Sequence, residues 1–228
     1  QDTDVIRTFQ NPMLENAGFI VLKGNIFDSA VMKTSVISDS FRSQYLDKPG
    51  SKNVFEVRAI VFEGPEDYHA RINDPQLKID IDCILVIRGC GPVGYPGSAE
   101  VVNMQPPDSL IRKGVLELPT LGDGRQSGTS GSPSILNASP ESAVGGGLAL
   151  LKTGDILRID LNQGSLDVML DKSELQKRHD ELKTEEIENQ TPWQEIYRNT
   201  VGQLSSGGII ELAAKYRKIR NTIPRHSH

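Results

Sequence analysis

The chain has 228 residues, of which 37% are hydrophobic and 24% are charged, a balance typical of a globular protein with a sizeable core. Its formal net charge is −5 and its sequence pI is about 5.4, so its overall charge does not favour binding to nucleic acid or to an anionic membrane. No apolar stretch reaches the roughly 18–20 residues that a membrane-spanning helix needs, and no signal peptide is visible. We therefore expect neither nucleic acid nor a membrane as a partner.

The two cysteines, Cys83 and Cys90, are too few for a disulfide framework or a zinc site. Cys83 lies in an apolar run, which predicts a core residue. This use of cysteine favours a reducing compartment, so we expect a cytoplasmic location. The first residue is Gln and not Met, which fits a mature form or a fragment.

Short runs rich in valine and isoleucine, separated by Gly, Pro, Asn and Asp, dominate the chain up to residue 170 and predict β-strands. The predicted strands are residues 18–23, 30–37, 54–62, 79–88, 115–120, 147–151, 155–161 and 165–170. A turn at residues 162–164 (NQG) predicts a hairpin between the last two, and residues 65–73 predict a short helix. Many short strands with few long helical patterns favour a barrel or a sandwich.

Helical patterns replace the strands after residue 170. Ser173 and Gln176 have the spacing of a capping box and predict the start of a polar helix, and Thr191 followed by Pro192 predicts a second helix start. Apolar residues then recur at helical spacing and are expected to serve packing: Ile209, Leu212, Ala213, Tyr216 and Ile219. The expected fold class is mainly β with flanking helices (α+β), a β-barrel followed by C-terminal helices.

Two glycine-dense segments, residues 89–100 (GCGPVGYPGSAE) and 122–147, lie between predicted strands. Loops longer than roughly 12–15 residues are uncommon unless they are functional or disordered, and neither segment has the composition of a disordered linker. Glycine permits positive φ and a close approach of the backbone to a ligand. The two segments are therefore predicted to form a binding or active site.

The second of these segments contains two candidate nucleophiles, Ser127 and Ser130, in the stretch GRQSGTSGSP. A chymotrypsin-like triad could take His69 and an aspartate, Asp80 or Asp82, ahead of Ser130. However, about 60 residues between His69 and Ser130 leave little room for two barrels, and helices that such a fold does not need follow the serine. A phosphate-binding loop is not favoured either, because the Gly-Lys-Ser/Thr ending is missing.

Taken together and in chain order, four motifs resemble the dihydroxy-acid and sugar-acid dehydratase family. They are residues 24–30 (GNIFDSA), 91–100 (GPVGYPGSAE), 122–129 (GDGRQSGT) and 139–147 (SPESAVGGG). Within the family the chain is more similar to the pentonate dehydratases of the arabinonate and xylonate type, through residues 191–197 (TPWQEIY) and the ending PRHSH. The branched-chain amino-acid enzyme usually has Gly-Gly-Pro-Gly in the second motif.

The resemblance implies that this chain is the C-terminal domain of a longer enzyme. Residues 1–17 would be a linker from a missing N-terminal domain, and residues 18–228 a C-terminal β-barrel domain with a helical tail. The N-terminal domain would hold a [2Fe–2S] cluster on its own cysteines and most of the Mg²⁺ ligands, and Cys90 does not match a cluster ligand. The expected partners are that domain, a small-molecule sugar acid, and further copies in a homo-oligomer (dimer or tetramer).

Enzymes of this family are hydro-lyases that convert a 2,3-dihydroxy acid into a 2-keto-3-deoxy acid, and L-arabinonate is the first substrate candidate here. A cluster iron can act as a Lewis acid on the C3 hydroxyl, and Mg²⁺ can chelate the carboxylate and the C2 oxygen. The fragment alone is expected to be inactive. Two alternatives stay open: the dihydroxy-acid dehydratase of branched-chain amino-acid synthesis, and a stand-alone barrel that binds without chemistry.

By the same resemblance, Glu100 is the Mg²⁺ ligand of this domain, Ser127 is the base that acts as an alkoxide, and Thr129 hydrogen-bonds the Ser127 oxygen. The residues alone agree in type, because Glu100 is a lone carboxylate that closes an uncharged, glycine-rich loop; the alternatives are an exposed loop glutamate at position 100 and a Ser127 that only satisfies loop amides. Arg125 either binds a substrate carboxylate or pins backbone carbonyls. His226, in the tail, is expected to reach the sugar hydroxyls.

Overall fold

The structure, a computed structural model, describes residues 3–13, 18–127, 131–183 and 187–216. Within these ranges the strands are β1 (Phe19–Gly24), β2 (Phe27–Lys33), β3 (Val54–Glu63), β4 (Cys83–Arg88), β5 (Thr120–Gly122), β6 (Ile135–Ser139), β7 (Ile156–Asp160) and β8 (Ser165–Val168). They close into a barrel in the order β1-β2-β6-β5-β4-β3-β7-β8. The expected fold class, a mainly β barrel with flanking helices, is confirmed.

Four neighbouring strands, β3, β4, β5 and β6, run parallel to one another. The β1–β2, β2–β6, β3–β7 and β7–β8 pairs are antiparallel, and β8 closes the barrel against β1 in a parallel pair. Because parallel strands end at the same edge, the segments that follow β3, β4, β5 and β6 all emerge at one end of the barrel. We call this end the carboxyl end.

Strand β4 supplies both hydrophobic cores because successive side chains of a strand point to opposite faces. Ile84 and Val86 join the larger core with residues of every barrel strand. Cys83, Leu85 and Ile87 join a second core on the other face. All five side chains are fully buried, which explains why this strand reads as a continuous apolar run.

Helices flank the barrel and follow it. They are α1 (Asp39–Phe41), α2 (Gly64–Arg71), α3 (Asp108–Ile111), α4 (Lys172–Glu181), α5 (Pro192–Thr200) and α6 (Glu211–Ala214). Helix α2 confirms the helix predicted at residues 65–73, and the hairpin predicted at residues 162–164 joins β7 to β8. In the described part of the chain no helix has both the length and the apolar character needed to cross a membrane.

Three strand predictions need correction. Residues 147–151 form a 3-10 helix over Gly147–Leu150, because the N–H groups of Ala149 and Leu151 donate to the nearby carbonyls of Gly146 and Leu148 and not to a neighbouring strand. Of residues 115–120, only Thr120 lies in the sheet, as the first residue of β5. Strand β6 was missed. Both strands are short and adjoin glycine-dense sequence, so they carry little strand pattern. The strand predicted to run to residue 37 ends at Lys33, and Thr34–Val36 form a 3-10 helix.

Two further differences concern residues 79–82 and the first polar helix. The strand predicted from residue 79 starts only at Cys83, because the carboxylate of Asp80 turns the chain by accepting from Asp82 N–H at 3.0 Å. The cap of α4 is Asp171, whose carboxylate accepts from Glu174 N–H at 2.8 Å. Ser173 was therefore the wrong cap, and it donates to Asp171 instead.

The second helix start is confirmed, since the Thr191 hydroxyl caps α5 and Pro192 is its first residue. The apolar stripe does not pack as expected in the described residues: Ile209, Leu212 and Tyr216 are 47%, 53% and 64% exposed. Ile219 lies outside the described residues.

The burial of both cysteines gives a first testable consequence. Burial raises the pKa of the Cys83 thiol to about 11 and also raises the pKa of Cys90, so little reactive thiolate forms near neutral pH. In a thiol titration with a chromogenic disulfide at pH 8, we expect neither cysteine of the folded chain to react and both to react in denaturant. Rapid reaction of either thiol in the folded chain would contradict this packing.

Candidate functional site

A buried carboxylate, that of Asp123, joins the segments that follow three parallel strands. Asp123 is the first residue after β5, and its oxygens accept from the N–H groups of Gly89 at 3.1 Å and Cys90 at 2.9 Å, just after β4. They also accept from the N–H of Ser142 at 2.9 Å and from its hydroxyl at 2.6 Å, just after β6. These bonds fix the starting points of both glycine-dense segments relative to each other.

A second buried carboxylate, Glu141, holds the middle of the first glycine-dense segment. It accepts from Val93 N–H at 2.9 Å and from Gly94 N–H at 2.8 Å. Its burial raises the pKa of this carboxyl, and the hydrogen bonds that it accepts oppose that rise. A Cβ at position 91 would collide with the Glu141 carboxylate, so the close approach requires Gly91.

Arg125 holds the end of the same segment. Its N–H donates to the carbonyl of Ala99 at 2.8 Å, and its carbonyl accepts from Val102 N–H at 3.2 Å. The guanidinium donates through Nε to the carbonyl of Ser98 at 2.8 Å, and Nη1 lies 3.6 Å from Oε1 of Glu100. The structure thus brings together Glu100 and Arg125, two of the residues singled out from the sequence.

Ser98 has a strained backbone at this point. The turn that precedes it has a hydrogen bond from Ser98 N–H to the carbonyl of Tyr95 and a positive φ at Gly97, as in a type II turn. Ser98 itself has φ +60°, a conformation that costs energy for a residue with a side chain. It is 4% exposed, and its hydroxyl has no hydrogen-bond partner among the described residues.

The other predicted site residues fall near this cluster or outside the described part. Ser127 is partly buried and follows Arg125 by two residues, so it belongs to the same carboxyl end of the barrel. Thr129 and His226 lie outside the described residues, as does Ser130. The contact of Arg125 with the Ser98 carbonyl matches the hypothesis that this arginine pins backbone carbonyls. The carboxylate next to its guanidinium is that of Glu100.

Glu100 offers one hard oxygen ligand to a metal ion, and the two cysteines are not placed to hold an iron–sulfur cluster. Glu100 is half exposed and lines a groove of about 260 Å³ with Tyr68, His69 and Met104. Its carboxylate is a suitable hard ligand for Mg²⁺, although one protein ligand does not make a site. Among the described residues no group of three or more His, Cys, Asp or Glu could hold a metal ion, so further ligands would have to come from elsewhere. Both cysteines are buried in the second core and are not placed to hold a cluster.

The two buried carboxylates and Gln203 were missed by the sequence reasoning. Asp123 and Glu141 are the two acids of the glycine-dense segment 122–147, so an acid in a glycine-dense segment is the signal that could have found them. Gln203 accepts from Glu141 N–H at 2.8 Å and donates to its carboxylate at 2.9 Å. Nothing near Gln203 in the sequence marks this contact, because it joins residues 62 positions apart.

A family model and individual known proteins both show similarity between this chain and dehydratases. Residues 4–208 match the family model described as "Dihydroxy-acid/6-phosphogluconate dehydratase C-terminal". The chain is 59% identical over 227 residues to a D-xylonate dehydratase of Caulobacter vibrioides, covering 100% of this chain and 38% of that protein. It is 40% identical over 175 residues to an L-arabinonate dehydratase of Rhizobium leguminosarum bv. trifolii (77% of this chain, 28% of that protein). A dihydroxy-acid dehydratase of Pyrococcus furiosus is 34% identical over 209 residues (91% and 35%).

The role of Asp123 can be tested by removing one acceptor oxygen. In Asp123→Asn the amide NH₂ would face N–H donors and leave buried groups unpaired, so we expect the free energy of unfolding to fall by about 2–4 kcal/mol. The matched control is Asp160→Asn, because Asp160 accepts from two N–H groups, of Asn162 and Gln163, in a hairpin turn that asparagine tolerates. Equal small losses in urea unfolding of the two variants would show that Asp123 is not a key contact.

Proposed function

Because the chain belongs to the dihydroxy-acid/6-phosphogluconate dehydratase family, we propose that it is the C-terminal domain of a hydro-lyase that dehydrates a sugar acid. The observation that carries this proposal is the 59% identity with a D-xylonate dehydratase over 100% of this chain. The chain spans only 38% of that relative's length, so the complete enzyme is proposed to include an N-terminal domain that finishes the active site. A homo-oligomeric assembly is part of the same proposal.

The proposed substrate is a pentonate, and the first candidate changes from L-arabinonate to D-xylonate. The sequence motifs alone did not separate these stereoisomers. The chain is 59% identical to the D-xylonate dehydratase over 227 residues and 40% identical to the L-arabinonate dehydratase over 175 residues, so D-xylonate has the better support. The dihydroxy-acid dehydratase alternative has less support, at 34% identity.

Ser127 is the proposed base. Its Oγ, as an alkoxide, takes the proton from C2; the C3–O bond breaks, and the departing hydroxide takes up that proton, which gives water and restores the alkoxide. The enol that remains tautomerises to the 2-keto-3-deoxy acid. A serine hydroxyl is a weak acid, so the alkoxide needs positive charge and N–H donors close by, and Arg125 in the same segment is the nearest cation in sequence. Thr129 is proposed to hydrogen-bond the same oxygen.

Glu100 is the proposed ligand through which this domain contributes to a Mg²⁺ site, and Nη1 of Arg125 lies 3.6 Å from its Oε1. Bound Mg²⁺ would neutralise the charge that develops on the substrate carboxylate and the C2 oxygen. The [2Fe–2S] cluster is proposed to reside in the N-terminal domain, since both cysteines of this chain are buried in its core. Arg125 and His226 remain proposed substrate-binding residues.

Substrate preference of the complete enzyme tests the proposed function. We expect kcat/KM for D-xylonate to exceed that for L-arabinonate, and both to exceed that for 2,3-dihydroxy-3-methylbutanoate, with keto-acid formation as the assay. A preference for the branched-chain substrate would favour the alternative dehydratase. Absence of turnover with all three, in enzyme loaded with iron and Mg²⁺, would contradict the proposal.

The base is tested by Ser127→Ala in the complete enzyme. Loss of a general base costs roughly 10²–10⁴-fold in rate, so we expect kcat to fall by about that factor while cluster content and Mg²⁺ binding are unchanged. Ser130→Ala is the matched control and is expected to keep most of the activity. If Ser127→Ala turned over normally, the base would lie elsewhere, with Ser130 the next candidate.

A further inference from the structure

The C-terminal segment contacts the middle of the Glu100-bearing loop, residues 89–100. From α5, Arg198 donates through Nε to the carbonyl of Val93 at 2.8 Å. The same guanidinium donates through Nη1 to Asn189 Oδ1 at 2.5 Å and to the carbonyl of Glu188 at 3.1 Å, which fixes its direction. An arginine with partners on both sides joins two parts of the chain rigidly.

Gln203, just after α5, reaches the same loop through Glu141. Its amide makes two hydrogen bonds with Glu141, donating to the carboxylate at 2.9 Å and accepting from the backbone N–H at 2.8 Å. The Glu141 carboxylate in turn accepts from Val93 N–H and Gly94 N–H. The N–H of Val93 is therefore bound to Glu141 and its carbonyl to Arg198, so both backbone groups of this residue are held.

A third contact keeps the C-terminal segment in register with the barrel. The N–H of Ser205 donates to the hydroxyl of Ser139 at 3.1 Å, at the last residue of β6. Gln203 and Ser205 thus bind residues at and just after the end of β6, while Arg198 binds the loop that follows β4. The loop is anchored at its start by Asp123, at its middle by this segment, and at its end by Arg125.

We propose that Gln203 and Arg198 are positioning residues for the metal ligand Glu100. They touch neither substrate nor metal in this account; they restrict the glycine-rich backbone between Gly91 and Gly97 and so fix where the loop delivers Glu100. The inference rests on the proposed function, because Glu100 is a metal ligand only within it. In the wild type, the contacts of Gln203 and Arg198 order the loop backbone before metal binds. Without them, metal binding would also have to order this backbone, which lowers the affinity for the metal.

Metal affinity tests this inference directly, because it can be measured without turnover of substrate. The complete enzyme, stripped of divalent cations, is titrated with Mn²⁺ as the probe, and free Mn²⁺ is followed by electron paramagnetic resonance. We expect Gln203→Leu and Arg198→Leu each to raise the Kd for Mn²⁺ by about tenfold. We expect kcat at saturating metal to stay within about threefold of wild type, since the catalytic groups are unchanged.

Two matched variants separate positioning from general damage. Arg158→Leu removes an exposed arginine of β7 that pairs with Glu56 at 3.2 Å on the barrel wall, and it is expected to leave the Kd unchanged. Arg198→Lys keeps a cation that can donate to the Val93 carbonyl, and it is expected to recover part of the lost affinity. If Gln203→Leu does not fold, the Arg198→Leu and Arg198→Lys pair decides the question.

Unchanged Mn²⁺ affinity in folded Gln203→Leu and Arg198→Leu, with wild type binding Mn²⁺ normally, would overturn the inference and leave the proposed function intact. An equal loss in Arg158→Leu would also overturn it, because the effect would then not be specific to the loop anchor. A wild-type enzyme that neither binds Mn²⁺ nor forms keto acid would overturn the proposed function, and this inference with it.

Discussion

The hydrogen bonds to one buried carboxylate hold the carboxyl end of this barrel together. Asp123 receives four of them, from residues just after β4 and β6, while it stands itself just after β5. A buried charge is costly unless its oxygens are paired, so the carboxylate and the loops stabilise one another. Glycine-rich backbone has the most conformational freedom to lose on folding, and these contacts, with those of Glu141, are what restrict it.

The direction of the strands turns this local constraint into a site. Because β3 to β6 run parallel, the segments that follow them meet at one end of the barrel, and residues far apart in sequence become neighbours. Enzymes built on parallel strands commonly place their active sites at the carboxyl ends of the strands, where loops can vary without disturbing the core. Here that end carries Glu100 and Arg125 in contact, with Ser127 following in the same segment. The fold thus places these three residues at one end of the barrel, where the proposed dehydration would take place.

The sequence predicted what depends on local pattern and missed what depends on distant contacts. Alternation and β-branched residues located most long strands, and Thr191 with Pro192 marked a helix start correctly. Short strands that run into glycine were missed or misplaced, because three to five residues such as β5 and β6 carry too little pattern. Glu100 was singled out as a lone acid in a glycine loop, but its neighbour Arg125 lies 25 residues away and the pairing is visible only in the fold. Gln203 is the extreme case, because its role comes wholly from tertiary contacts.

The roles of Glu100 and Ser127 are tested most directly by a crystal structure of the complete enzyme with Mg²⁺ and D-xylonate bound, in which two distances are measured. We expect a Glu100 oxygen within about 2.0–2.1 Å of Mg²⁺ and Ser127 Oγ within roughly 3–3.5 Å of C2 of the substrate. If Glu100 did not contact the metal, or Ser127 Oγ lay far from C2, this domain would not carry both the proposed ligand and the proposed base.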